Sequence, residues 1–209
     1  MRILDISQPL GSTTAVWPGD RAVEGGWSMR RAEGHSVNVA TLCTTVHAGT
    51  HVDGPLHFED DAPPVGALPL EAYLGPALVV DARGRAALDV DLVDEVDLGA
   101  AERILFRSRE TVDARVFPER FAALTPELAE RLAAAGVRLV GTDAPSVDPA
   151  DSKELPAHRA LGAGRVAILE NAVLDHVSPG RYTLVALPLP LVEADSSPVR
   201  AVLLEGDAP

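Results

Sequence analysis

Residues 37–57 read VNVATLCTTVHAGTHVDGPLH, an alternating run that passes straight into a histidine-rich stretch broken by glycine and proline. Val37, Val39, Thr41, Cys43, Thr45 and His47 share one face at period two, which predicts a strand over 37–47. His47, His51, Asp53 and His57 then fall within eleven residues. With six histidines in 209 residues, about 0.3 is expected in such a window by chance, and three are present. The spacing of His47 and His51 would suit one face of a helix. Gly49, the β-branched Thr50 and Val52, and Gly54-Pro55 disfavour one. The sequence therefore predicts a strand ending at His47 and a tight glycine loop that folds His51 and Asp53 back toward it.

Such a loop can wrap a metal. Imidazole nitrogens with a carboxylate oxygen suit zinc or manganese, and sites of this kind keep a position open for water, whereas structural zinc usually relies on thiolates. The alternative is a histidine cluster without metal. Further ligands must come from elsewhere. His158 follows Asp151-Ser152-Lys153-Glu154 in what reads as a polar loop, and Glu170 ends a predicted strand over 166–170 on the face of Val166 and Ile168. A carboxylate buried in line with two apolar residues needs a cation or several donors. Spacing alone leaves open whether Glu170 is a ligand. His35 and His176 read as surface histidines.

Outward from this centre, short strands are predicted over 77–81, 104–107, 137–140, 182–187 and 199–204. One helix is marked by Thr125 as cap, Pro126 at its first position, Leu128 and Leu132 one turn apart, and Gly136 as a left-handed stop. The acidic run 89–97 lacks the glycine and ligand spacing of a calcium loop and reads as a solvated surface segment. Gly162 to Ala167 fits G-x-G-x-x-A but precedes a strand, so it reads as a turn. Cys43, mid-strand, reads as a packed or half-buried thiol. The fold class is α/β, a strand-rich domain with few helices, spanning 1–209 as one unit.

A net charge of −13 argues against a nucleic-acid partner, which needs a basic face. No run reaches the length of a membrane span, the first residues lack the apolar core of a secretory signal, and one cysteine excludes an internal disulfide. A cytoplasmic location is expected.

The H-x-G-T-H-x-D-x-P-x-H segment resembles the signature of the cyclase family of metal hydrolases. With Trp17-Pro18-Gly19-Asp20, Tyr73-Leu74-Gly75-Pro76 and Ser197-Pro198-Val199-Arg200, nearly the full chain is similar to its formamidase branch. That resemblance implies a swivelling β/β/α-type fold, a homodimer, and hydrolysis of N-formyl-L-kynurenine to L-kynurenine and formate in tryptophan degradation. It also implies two metals per subunit, usually zinc, with manganese or cobalt as alternatives. His47, His51 and Asp53 would hold one metal, Asp53 and Glu170 would bridge, and His158 would complete the second. His57 would transfer protons, and Trp17 would contact substrate. From the residues alone, Trp17 reads as a core tryptophan beside the Pro18-Gly19 turn and His57 as another ligand. Nothing in the spacing picks a residue for the substrate's carboxylate.

Other readings are weaker. No G-x-S-x-G elbow supports a serine hydrolase. A related hydrolase that opens cyclic amides such as isatin would keep the scaffold and change the substrate. A non-catalytic metal-binding protein would tend to close the coordination shell, which the extra histidine argues against.

Overall fold

The central strand of the molecule runs through Arg103-Ile104-Leu105-Phe106, four consecutive buried residues, as expected where both faces of a sheet are covered. The structure, a computed structural model, describes residues 1–98 and 102–206. In chain order its strands are β1 (Arg2–Asp5), β2 (Glu24–Met29), β3 (Val39–Cys43), β4 (His51–Asp53), β5 (Leu74–Asp81) and β6 (Arg103–Arg107). They continue as β7 (Leu139–Thr142), β8 (Ala167–Glu170), β9 (Gly180–Val185), β10 (Ser196–Pro198) and β11 (Val202–Glu205). Two α-helices, α1 (Pro126–Ala134) and α2 (Pro156–Ala163), separate β6, β7 and β8.

Nine strands form one mixed sheet in the order β1-β11-β9-β5-β6-β7-β8-β4-β10. The inner run β5 to β8 is parallel, and every other pair in that sheet is antiparallel. Alternation sorts its side chains onto two cores. Ile104, Phe106, Val140 and Ile168 pack with Leu128 and Leu132 of α1 and Leu161 of α2. Leu105, Leu139 and Leu169 pack on the other side with Leu4, Val52, Leu184 and Leu203, drawn from strands toward both ends of the order. The α/β, sheet-dominated reading holds.

Helix α1 starts as expected. The Thr125 hydroxyl accepts from the Leu128 N–H at 3.2 Å, Pro126 occupies the first turn, and Gly136 follows at φ +77°. The acidic segment 89–97 carries a short 3₁₀ turn, Val90–Val93, capped by Asp89, with Asp91 and Asp94 pairing with Arg85 and Arg131.

Three local expectations are corrected. The strand over 37–47 is confined to Val39–Cys43, which pairs with β2 as an exposed two-stranded hairpin. Its alternation continues in sequence, but the Thr45 carbonyl takes the Ala48 N–H and turns the chain at Val46 and His47. On that hairpin Cys43 is exposed rather than packed. The strand expected over 199–204 starts only at Val202, as β11, and residues 199–201 separate it from β10. No helix among the described residues is long and apolar enough to cross a membrane.

Candidate metal centre

His51 and Asp53 are two apart on β4, so their side chains share a face. Val52 between them points into the opposite core. The register sets His51 directly opposite Glu170 of β8. The loop expected around 51–53 is therefore a buried strand of the main sheet, and cross-strand pairing gathers ligand-type residues that sequence spacing placed far apart. Gly49, at φ +66°, makes the turn that carries the chain from His47 into β4, a conformation glycine adopts without a Cβ penalty. His158 arrives from the same side on α2, correcting the expected polar loop.

These groups converge on Asp53. Its Oδ1 lies 3.1 Å from His47 Nδ1 and 3.5 Å from His51 Nε2, and its Oδ2 lies 3.7 Å from His158 Nε2. Glu170 reaches His51 Nε2 at 3.4 Å through Oε2 and His158 Nε2 at 3.6 Å through Oε1. Glu170 Oε1 also accepts the Val147 N–H at 2.8 Å. Ligand atoms of His47, His51 and Asp53 lie within 4.8 Å of one another, as do those of Asp53, His158 and Glu170.

Acceptors on the outer side fix the imidazoles. The Gly49 carbonyl, 2.9 Å from His51 Nδ1, can only accept, so Nδ1 carries a proton and Nε2 is the nitrogen that faces inward. The Asp148 carboxylate does the same at His158 Nδ1, 2.7 Å away, and also accepts the Ala157 and His158 N–H groups at the start of α2. Asp148 thus caps the helix and aims the ring it carries. Sequence reasoning missed it; the only signal was an acid ahead of a Pro-started segment. Replacing Asp148 with asparagine is expected to weaken metal binding about 10- to 100-fold, measurable by competition with a chromogenic chelator.

A second missed residue is Asp195. Its Oδ2 lies 2.8 Å from His47 Nε2 and 3.0 Å from His57 Nδ1. These contacts hold the Asp195 carboxyl far below the usual carboxylate range. Asp195 sits 138 residues from His57, and only β10 pairing with β4 brings it close. The Gly54 N–H donates to the Asp195 carbonyl at 2.8 Å, and a Cβ on Gly54 would lie 3.1 Å from that oxygen.

The donor set fits a metal. Among the described residues His51 Nε2, His158 Nε2 and both Asp53 oxygens are buried without a hydrogen-bond partner, four inward-facing polar atoms that an interior normally satisfies. Burial pulls the His47 imidazolium down, but the Asp195 and Asp53 carboxylates outweigh it and raise its pKa to about 10. His158 follows the same pattern, to about 10, through Asp148, Asp53 and Glu170. A site that holds protons this tightly is one in which carboxylates call for positive charge, and a divalent cation answers the same call.

The centre lies in a cavity of about 440 Å³. Trp17 lines its wall, half-buried and not in the core, with its ring edge-on to Phe117 at 5.2 Å and 76°. The Ala15 N–H donates to the Ala114 carbonyl at 2.7 Å and ties the two aromatic loops together. The structure therefore brings His47, His51, Asp53, His57, His158 and Glu170 together, with Trp17 on the same cavity.

Residues 4–149 match the family described as "Putative cyclase". The chain belongs to the cyclase family. Among its cyclase-family relatives, the kynurenine formamidase of Salinibacter ruber is 45% identical over the full length of both chains. That of Bacillus cytotoxicus is 44% identical over 96% of each. A solved structure described as a potential metal-dependent hydrolase with cyclase activity superposes with a TM-score of 0.86 at 25% identity, covering 99% of each chain. An isatin hydrolase bound to thioisatinate superposes at 0.83 and 21% identity over 98% of this chain and 92% of its own, a likeness of fold. This cyclase-family chain is a hydrolase, and its centre has the donors of a metal site.

Proposed function

We propose that the protein hydrolyses N-formyl-L-kynurenine to L-kynurenine and formate. The observation that carries this reading is the cavity itself, where an imidazole-carboxylate cluster with unpartnered inward donors lies beside an aromatic wall. The full-length kynurenine formamidase relatives support the substrate.

His47, His51 and Asp53 would hold one metal, and Asp53, Glu170 and His158 a second, with zinc as the expected ion. When bound, such a centre supplies an acidified water and an electrophilic contact for the formyl oxygen. The chain's own residues do the rest. Asp195 accepts from His57 Nδ1 and leaves Nε2 free toward the cavity, so His57 takes the proton released as water adds to the formyl carbon. The carbon–nitrogen bond then breaks, His57 returns the proton to the departing aryl amine, and formate leaves. Trp17 and Phe117 offer an apolar surface to the aryl ring.

The β2–β3 hairpin, exposed along its whole length with Trp27, Met29 and Leu42 outward, is a surface that a second copy would bury, in keeping with a homodimer. The exposed Cys43 thiol suits a reducing cytoplasm.

The deciding assay follows free kynurenine by absorbance before and after the metal is stripped and restored. Turnover that disappears with the metal and returns with zinc is the expected result. Metal bound without turnover of the formamide, together with opening of isatin, would move the protein to the cyclic-amide hydrolases.

A further inference from the structure

Arg109 is the one lysine or arginine among the described residues that line the cavity. It is half-buried, and among the described residues its side chain makes a single hydrogen bond, from Nη1 to the Asp143 carbonyl at 3.4 Å. Arg83, Arg115, Arg131 and Arg200, by contrast, each pair with a carboxylate. The Asp143 carboxylate acts on it electrostatically but makes no ion pair with it, so a guanidinium drawn partly out of water keeps donors open for an arriving anion.

Its backbone is held unusually firmly. Asp143, fully buried just after β7, accepts the Ser108 and Arg109 N–H groups at 2.9 Å each and the Ser108 hydroxyl. That clamp fixes the direction in which the chain leaves β6, at the carboxyl ends of the parallel strands where open α/β sheets bind ligands. The cavity therefore joins the imidazole-carboxylate floor and the Trp17–Phe117 wall to a single guanidinium, with Asp20 and the Arg115-paired Asp113 also on its lining. A metal site and an apolar wall account for an aryl formamide, but not for a cation.

We propose that Arg109 binds the carboxylate of the substrate's amino-acid end and so selects aryl formamides that carry one. This inference rests on the formamidase reading above and names the residue that sets its specificity.

The test compares wild-type protein, Arg109→Ala and Arg109→Lys on N-formyl-L-kynurenine and on 2-acetylformanilide, which has the same ring and formamide without the amino-acid end. The same three proteins are titrated calorimetrically with L-kynurenine and with 2-aminoacetophenone, and their melting temperatures are compared. Arg109→Ala is expected to raise KM for formylkynurenine and weaken L-kynurenine binding by about 10- to 100-fold, with the preference over the truncated compounds falling by the same factor. Arg109→Lys, which keeps the charge and loses the fork, is expected to fall between. Equal losses on both compounds, or no loss on either, would overturn the assignment. If wild-type protein turns over neither compound, the formamidase reading fails, and the binding titrations decide Arg109 by themselves.

Discussion

Replacing Asp53 with asparagine is expected to lower kcat/KM by about 10⁴-fold or more and to reduce bound metal, measured together by steady-state kinetics and metal analysis. Asparagine keeps the shape of the side chain and removes the charge toward which three imidazoles turn. The fold should survive, because Val52 and Leu169, not Asp53, fill the adjoining core. Full metal content with normal turnover in the variant would remove Asp53 from the centre.

A pH dependence follows from the same cluster. Without metal, His47 and His158 lie at about 10 against an ordinary 6.5, since their carboxylate neighbours outweigh the effect of burial. Groups raised in the folded state stabilise the metal-free protein fully below 6.5, and that stabilisation is lost as pH rises through about 10. Metal uptake must displace those protons, so affinity should weaken as pH falls. Calorimetry in buffers of different ionisation enthalpy should record proton release on binding.

The second large effect is expected at His57. Its side chain is 32% exposed and its Nδ1 is held by Asp195, so Nε2 is the nitrogen that the proposed proton transfer would use. His57→Ala is expected to lower kcat by about 10²- to 10⁴-fold while most of the metal stays bound. Ligand atoms of His57, His47 and Asp195 lie within 4.8 Å of one another, so this experiment also separates proton transfer from ligation. Loss of metal and turnover together would place His57 among the ligands.

Much of this centre was legible in the chain because its chemistry is local. The eleven residues from His47 to His57 concentrate imidazoles around one carboxylate, and the glycines and proline among them disfavour an α-helix through the stretch. The apolar faces of the central strands and the caps of α1 could be read for the same reason, since alternation and capping involve neighbours in sequence.

What the sequence by itself determined was therefore the residue types of a metal hydrolase, a strand-rich α/β class, and family membership. Only the tertiary structure decided that 51–53 is a strand, that its register faces His51 to Glu170, that Asp195 and Arg109 line the same cavity, and that Asp148 braces His158 from behind. The reason is physical. Each of those three acts across a gap that is bridged by sheet pairing or a helix terminus, and a single aspartate or arginine has no periodicity to announce where the fold will carry it.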